Sequence, residues 1–377
     1  SFVPLFAITA AIIWYIYQSQ DNSKLPPGPK GVPLLGYIPF LGKNHHLKFV
    51  ELAKVYGPIV RFKYGMVNVV VLNDYASVKK WLTHTAFHSR LRNVFCTNTG
   101  LLGTTFAGIG TLNGEAWRTN RRLCLGILRD NGWKQAVMEE QTKEELRYFC
   151  GKLSQYRDKP VPIKQLAMTS IANGIMKILM SVSYPFGDPR RILLDRHMAQ
   201  VGRAISSCSL IVWAPLWLYS LVGRLPYTSL HSMRSGFQGI VAFINERVKE
   251  HQELLDENSS LDFTDAFLKE TCEYRKGPDS HISVKYAAGH VLALLSAGTN
   301  PVSSSIVWHL LNCADKPGLQ NKIREEIDRV IGQQRMPAWG DRYNMAFTMA
   351  CIWETYRWRT MNPIGIPRGC EEDVSID

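Results

Sequence analysis

The fold is decided by the stretch Tyr286–Ala314, YAAGHVLALLSAGTNPVSSSIVWHLLNCA, which contains no Asp, Glu, Lys or Arg. Its middle, Ser296–Ser305, is too polar and interrupted to face lipid, so we expect a long helix through the centre of a large protein. Pro301 has no N–H, so the carbonyl of Ala297 loses its helical partner, and Gly298 leaves room beside the helix. This notch predicts a wall for a flat ligand; an ordinary proline kink is the alternative.

The sequence around this helix is mainly helical, with a small β-sheet part. Two β-rich runs, Ile59–Tyr64 and Val67–Leu72, flank Gly65 and predict a hairpin. Asp315 with Pro317 predicts a helix start, and Gly332 predicts a helix end. Helical periodicity is found at residues 48–55, 74–83, 115–128, Phe237–Leu255 and Leu319–Ile331.

The N-terminal residues 2–17, FVPLFAITAAIIWYIY, are apolar at 14 of 16 positions. Residues 1–20 are therefore expected to be a membrane anchor, with a cleaved signal peptide or a buried core helix as alternatives. Residues 21–36 contain Pro26-Pro27-Gly28-Pro29 and predict a stiff hinge. Residues 37–377 are left for the body of the protein.

Composition excludes some classes of protein. The chain has 377 residues, of which 46% are hydrophobic and 20% charged, so it is neither a disordered chain nor a multi-span transporter. Its 44 Lys and Arg against 32 Asp and Glu give a net charge of +12, which suits an anionic membrane surface or an acidic protein partner. No basic block carries interleaved aromatic residues, so no nucleic acid partner is expected.

Cysteine usage indicates a reducing compartment. The chain has eight cysteines, and their irregular spacing without a CxxC pair fits neither a zinc site nor a disulfide scaffold. We expect reduced thiols in a domain that faces the cytosol. These cysteines are Cys96, Cys124, Cys150, Cys208, Cys272, Cys313, Cys351 and Cys370.

Two pairs of side chains have helical spacing and useful chemistry. Trp117 and Arg121 are four residues apart, so an indole N–H and a guanidinium share one helix face and can donate to a carboxylate. Glu354 and Arg357 are three residues apart between aromatic residues, so we expect a buried ion pair. The alternatives are an exposed basic helix face and a surface ion pair, respectively.

Taken in order, these features resemble a microsomal cytochrome P-450, a haem-thiolate monooxygenase. The likeness covers nearly the whole chain and is closest to the animal branch that oxidises drugs, fatty acids and steroids. It rests on the anchor, the proline-rich hinge, the hairpin, W-x-x-x-R, the A-G-x-x helix and E-x-x-R. It also rests on FHSR at 87–90, VKEHQE at 248–253, DFTDAFL at 262–268 and PIGIPR at 363–368.

The resemblance implies a cytochrome P-450 fold that binds haem, and it implies roles for particular residues. Trp117 and Arg121 would donate to one haem propionate and Arg368 to the other, with Arg90 as a further candidate. Glu354 and Arg357 would fix the core behind the haem. The catalytic segment would be Ala297, Gly298, Thr299 and Asn300, with Ala297 and Gly298 over the distal face. The substrate pocket would be lined by residues 87–113, Leu210–Val222, the central helix and residues 362–366.

The resemblance also implies partners and a location. Electrons would come from NADPH through a flavoprotein reductase, with cytochrome b5 as a second redox partner. The substrate would be a lipophilic small molecule that enters from membrane lipid. The body would face the cytosol at the endoplasmic reticulum membrane, held by a single N-terminal anchor.

Two departures from the family pattern affect the chemistry. The F-x-x-G-x-R-x-C-x-G loop is absent, and Cys370 lies beside three acids that disfavour its thiolate. No iron-ligating cysteine is therefore assigned, and residues 37–377 are interpreted as an incomplete catalytic domain that lacks the C-terminal haem-ligand region. Asn300 and Pro301 also stand where the family usually has an acid and a threonine, while Thr299 and Ser303 point to other faces of a regular helix.

The predicted function is haem-dependent insertion of one oxygen atom from O₂ into a lipophilic xenobiotic, fatty acid or steroid. Two alternatives stay open at this point. The absent ligand loop would suit an inactive truncated product, and Pro301 would suit a haem-dependent isomerase of lipid peroxides.

Overall fold

The computed structural model describes residues 6, 9–10, 13–14, 25–33, 35–65, 67–90, 107–130, 136–207, 224–255, 262–274, 281–370 and 372–375. The anchor expected at residues 1–20 and the apolar stretch Leu210–Val222 therefore lie largely or wholly outside the described residues. The chain divides into two compact units. The first comprises Ser1–Phe95, Ala204–His231 and Ile364–Asp377, and the second comprises Cys96–Arg203 and Ser232–Pro363.

The first unit contains a helix and a hairpin that share a small core. Helix α1 (His45–Tyr56) packs against strand β1 (Ile59–Tyr64), which pairs antiparallel with β2 (Val67–Leu72), and helix α2 (Tyr75–Leu82) follows. The hairpin has the boundaries that its sequence predicts. Both strands contain β-branched residues, and Gly65 between them adopts a positive φ of 62°. The core consists of Leu41, Phe49, Leu52, Val60, Phe62 and Tyr64.

The second unit is built from helices. These are α3 (Gly114–Leu128), α4 (Ala136–Ser154), α5 (Ile163–Met180), α6 (Pro189–Ser207), α7 (Ser229–Leu254), α8 (Phe263–Tyr274), α9 (Ala287–Asp315), α10 (Pro317–Val330) and α11 (Ala346–Trp358). Pro317 opens α10 and Gly332 follows it with φ at 73°, as the sequence predicts. Asp315, expected to begin α10, is instead the last residue of α9. The mainly helical fold with a small sheet is confirmed.

Helix α9 is the expected central helix. It packs against α5, α8, α10 and α11, and its buried residues include Val291, Leu292 and Leu295. Within the described residues, the segment Val284–Asp315 is the one helical stretch long and apolar enough to cross a bilayer. Its packing inside the second unit explains that composition, because a helix in a protein core is as apolar as a helix that crosses a membrane.

Candidate functional site

The predicted donor pair lies on α3. Trp117 Nε1–H donates to the carbonyl of Ile109 at 3.1 Å, and the guanidinium of Arg121 lies 5.5 Å from the centre of the Trp117 ring. Arg121 is exposed, whereas Trp117 is half-buried. The helical spacing therefore brings the two side chains together, with the indole fixing the preceding loop and Arg121 presenting its charge to solvent.

Helix α3 is attached to α9 through a buried histidine that the sequence analysis did not single out. Asn120 Oδ1 lies 3.0 Å from His290 Nε2, and the backbone N–H of Ile109 donates to His290 Nδ1 at 3.0 Å. The Asn120 amide donates to the carbonyls of Ala116 and His281, each at 2.8 Å. Because Nδ1 accepts, Nε2 carries the proton of a neutral ring. Burial lowers the pKa of His290 to about 3, so the ring stays neutral near pH 7.

The loop before α3 lies directly on the backbone of α9. A Cβ at Gly108 would come within 2.3 Å of the carbonyl carbon of Gly289 and 2.6 Å of the nitrogen of His290. Only glycine allows the two backbones to approach this closely. The position of α3 against α9 therefore depends on both this contact and the His290–Asn120 hydrogen bond.

One face of α9 becomes exposed beyond the segment that the loop before α3 covers. His290, Ala297 and Ser304 recur every seven residues, which places them on one side of the helix. His290 is fully buried where the loop before α3 contacts α9, whereas Ala297, Asn300 and Pro301 are exposed, and the backbone stays helical through Pro301. We call Ala297, Asn300, Pro301 and Ser304 the open strip. Seven-residue spacing from Ala297 could have identified Ser304 from the sequence.

The other two predicted catalytic positions turn away from the open strip. A Cβ at Gly298 would lie 2.5 Å from Ile175 Cδ1 on α5, so the space expected beside Gly298 is already filled. This corrects the expectation of a vacant notch. Thr299 is 0% exposed, and its Oγ1 has no hydrogen-bond partner among the described residues. Ser303 is also buried, and its hydroxyl donates to the carbonyl of Asn300 at 3.0 Å.

Glu354 and Arg357 form the predicted ion pair on α11. Arg357 Nε and Nη2 donate to the two carboxylate oxygens of Glu354 at 2.7 and 2.6 Å. The expected burial is wrong, because the two side chains are 60% and 72% exposed. The flanking Trp353 and Tyr356 are also exposed, and α11 buries only Thr355 in the part of the chain that is described. The aromatic residues thus border the pair without covering it.

The remaining two predicted cations lie in the first unit. Ser89 and Gly369 form an antiparallel bridge, in which the N–H of Gly369 donates to the carbonyl of Ser89 at 2.8 Å. In this register Arg90 lies opposite Arg368, and both are half-buried. Two guanidinium groups on facing positions repel each other in water, so this arrangement favours binding of an anionic group.

Two further features bear on the site. Cys370 is exposed, and its thiol donates to the carbonyl of Glu372 at 2.9 Å. A cavity of about 670 Å³ in the second unit is lined by charged and polar side chains of α4 and residues 333–338, including Lys143, Arg147 and Arg335. Such a lining does not suit a lipophilic substrate. Of the expected pocket segments, residues 91–106 and 208–223 lie outside the described residues.

The open strip and Arg121 fit the outer parts of a haem group. A flat apolar ring can lie close to Ala297 because that side chain is small and exposed, and an exposed guanidinium is a good donor to a propionate. The open strip contains no cysteine, so the residues that line it do not supply an axial thiolate. By its chemistry, Arg121 thus suits a propionate at the edge of haem, and Ala297 suits one face of the ring.

The chain is similar to known proteins over almost its whole length. The family model described as Cytochrome P450 matches residues 26–377. Cytochrome P450 2C20 of Macaca fascicularis is 30% identical over 377 residues, covering 100% of this chain and 74% of the relative. Cytochrome P450 2A9 of Mesocricetus auratus is 29% identical, covering 96% and 72%. Cytochrome P450 1A1 of Cavia porcellus is 28% identical, covering 98% and 74%.

The chain spans about three quarters of the length of these relatives. Proteins of this family are oxidoreductases that use haem iron, with electrons from NADPH delivered through a reductase. The family match at residues 26–377 includes α3, α9 and α11. The chain belongs to the cytochrome P450 family.

Proposed function

We propose that the protein is a monooxygenase that inserts one oxygen atom from O₂ into a lipophilic xenobiotic, fatty acid or steroid. Its electrons would come from NADPH through a flavoprotein reductase, with cytochrome b5 as a second redox partner. The observation that carries the proposal is the open strip of α9, which is exposed beyond the contact of His290 with the loop before α3 and lies on the segment to which the resemblance assigns catalysis.

Haem supplies the activation of O₂ when bound, and the protein positions it and excludes water. Arg121 would hold one propionate, since its guanidinium is exposed on α3 and braced against the Trp117 ring. Trp117 itself fixes the loop at Ile109, and His290 fixes α3 against α9. From the resemblance alone, Arg368 is proposed for the second propionate, with Arg90 as a further candidate.

The open strip offers two polar groups that can contact a ligand. Asn300 has an exposed amide, which donates and accepts hydrogen bonds but does not transfer protons readily. Ser304 has a hydroxyl that can hold and pass on a proton at Oγ. Thr299 is unsuited to this role because its hydroxyl is enclosed in the core. We therefore propose that Ser304, which supplies the hydroxyl of the open strip, takes the role that Pro301 cannot perform.

Location at the endoplasmic reticulum membrane is part of the proposal. It is supported by the apolar N-terminal stretch, by the net charge of +12 and by the animal relatives. A lipophilic substrate partitions into the bilayer, so an anchored enzyme would meet it there at high local concentration.

Haem binding gives the first test. The protein is expressed from its full transcript, and haem affinity and the optical spectrum of the reduced carbon monoxide complex are measured. We expect the red-shifted Soret band of a thiolate-ligated haem, and a 3- to 10-fold weaker affinity in Arg121→Ala, as expected for loss of about 1 kcal/mol of charged hydrogen bonding. Arg122→Ala, an exposed neighbour on another face of α3, serves as the control. Absence of haem binding would refute the proposal.

Proton delivery gives the second test. Pro301→Ala restores only the N–H to α9, whereas Pro301→Thr adds the N–H and a hydroxyl. We expect Pro301→Thr alone to increase the fraction of NADPH consumption that yields product. Equal coupling in both variants and the parent would contradict the role given to the missing hydroxyl. Turnover of lipid hydroperoxides without NADPH or reductase would replace the monooxygenase assignment with an isomerase.

A further inference from the structure

Two sequence runs that the proposed function does not use meet in the second unit. His251 lies in the last turn of α7, within VKEHQE, and Asp262 and Asp265 lie at the start of α8, within DFTDAFL. Among the described residues, these three are the one group of at least three His, Cys, Asp or Glu side chains whose ligand atoms all lie within 4.8 Å of one another. The carbonyl oxygen of Met180, the last residue of α5, lies 3.3 Å from His251 Nε2. Four groups that can bind a metal ion thus come together from three helices.

One carboxylate fixes the orientation of the His251 ring. Asp265 Oδ1 lies 2.7 Å from His251 Nδ1. An ionised carboxylate only accepts hydrogen bonds, so Nδ1 carries a proton and donates it. In the neutral ring Nε2 then has a lone pair. A histidine that binds a metal has this arrangement, in which one ring N–H donates to a carboxylate and the other nitrogen faces the ion.

The second ring nitrogen faces two oxygen atoms. His251 Nε2 lies 3.3 Å from the carbonyl oxygen of Met180 and 3.6 Å from Asp262 Oδ2. A carbonyl oxygen has no proton to donate, and 3.6 Å is too long for a hydrogen bond from a carboxyl group to the ring. A lone pair that faces these oxygens is stabilised only by a positive charge between them. That charge is either a second proton on the ring or a metal ion.

The distances suit a zinc ion. Zinc binds histidine nitrogen and carboxylate oxygen at about 2.0–2.2 Å in a tetrahedron, so neighbouring donors lie about 3.4 Å apart. The separations of 3.3 and 3.6 Å from His251 Nε2 lie on either side of this value. Imidazole with oxygen donors and no sulfur is also a donor set that zinc accepts.

Burial and charge also favour a cation. The side chain of Asp262 is 0% exposed, and burial raises its pKa because a charged carboxylate is poorly stabilised in the core. A divalent ion bound to the carboxylate would offset this cost. The side chain of His251 is 16% exposed, so an ion could reach the donors from solvent. Asp262 Oδ1 also accepts from the backbone N–H of Asp265 at 3.0 Å, which holds the carboxylate in place.

We propose that His251 Nε2, Asp262 Oδ2 and the carbonyl oxygen of Met180 bind a zinc ion. Asp265 is a positioning residue that holds the imidazole, and water would take the fourth position. The ion would join the ends of α5 and α7 to the start of α8, so its role is to stabilise the second unit. The proposal uses neither haem nor reductase, so it can fail or hold independently of the proposed function.

Zinc binding to the protein expressed from its full transcript tests the proposal. The protein is treated with EDTA, dialysed and equilibrated with zinc chloride, and bound zinc is counted by mass spectrometry. We expect one zinc ion per chain and a Tm that rises with zinc concentration. His251→Gln should remove this binding, although glutamine can still donate to Asp265. Asp265→Asn should weaken the affinity by about 10- to 100-fold, and His231→Gln, which replaces an exposed histidine of α7, should bind zinc as the parent does.

X-ray absorption at the zinc edge identifies the ligands without any variant. We expect nitrogen and oxygen neighbours at about 2.0–2.2 Å, among them one imidazole, and no sulfur at about 2.3 Å. Sulfur neighbours or several imidazoles would place the zinc elsewhere and overturn the proposal. Equal zinc affinity in the parent and His251→Gln would do the same. So would the lack of a saturable zinc site, and a second proton on the His251 ring would then be the positive charge in the cluster.

Discussion

Replacing His290 by glutamine tests the link between α3 and α9. Glutamine can donate to Asn120 and accept from the N–H of Ile109, as the neutral histidine does, but it does not titrate. The variant therefore separates the hydrogen-bonding role of His290 from its ionisation. We expect it to reduce stability near pH 7 modestly and to remove part of the loss of stability in acid.

The size of the effect follows from the pKa of His290 in the two states. In the unfolded chain a histidine has a pKa of about 6.5, whereas burial lowers the pKa of His290 to about 3 in the folded protein. Between these values the unfolded state binds more protons, so stability rises with pH and falls as pH is lowered from 6.5 towards 3. The slope is about 1.4 kcal/mol per pH unit, which gives a loss of about 2 kcal/mol at pH 5.

Urea unfolding at several pH values between 7.5 and 4.5 measures this slope. The His290→Gln variant should show a slope lower by about 1 kcal/mol per pH unit below pH 6. His231→Gln, which replaces an exposed histidine on α7, should retain the parent slope. If His290→Gln also retained the parent slope, protonation of His290 would not be what destabilises the fold in acid, and the neutral-ring assignment would fail.

Two other substitutions have expected outcomes. Gly108→Ala should reduce the Tm by several degrees, because the new Cβ would lie 2.3 Å from the carbonyl carbon of Gly289. Gly110→Ala is the control in the same thermal scan. It should have little effect, because its Cβ would lie 3.5 Å from the Cβ of Ala293. Exchanging the exposed pair in the double variant Glu354→Arg, Arg357→Glu should change the stability of this chain by less than about 1 kcal/mol in urea unfolding, and a larger loss would mean that the pair is buried.

Much of the fold could be predicted because local sequence signals agree with packing. The hairpin has β-branched residues on both sides of Gly65, and α10 lies between Pro317 and Gly332. The turn and cap residues therefore indicate the same elements as the residue pattern between them. The burial of Glu354 and Arg357 could not be predicted in this way. Aromatic neighbours indicate that a surface is apolar, but they do not reveal whether another element covers it.

The site was predictable where chemistry follows helical spacing, and not where it depends on distant contacts. Trp117 and Arg121 share a face because they are four residues apart. His290 contacts Asn120, and Gly298 lies against Ile175; both partners are more than a hundred positions away in the sequence. No local sequence pattern predicts these contacts. A lone histidine in an apolar run gave no reason to expect that it would link two helices.

These contacts explain how one helix is both core and candidate site. His290 and Ala297 lie two turns apart on one side of α9, so the open strip begins beyond the point where the loop before α3 contacts the helix. The hydroxyls of Ser303 and Ser305 donate to carbonyls of their own helix, which lets polar residues lie in the core around Pro301. The carbonyl of Ala297, which Pro301 deprives of its backbone donor, falls on the exposed side. The features that make this stretch too polar for a membrane span are therefore those that a ligand would meet.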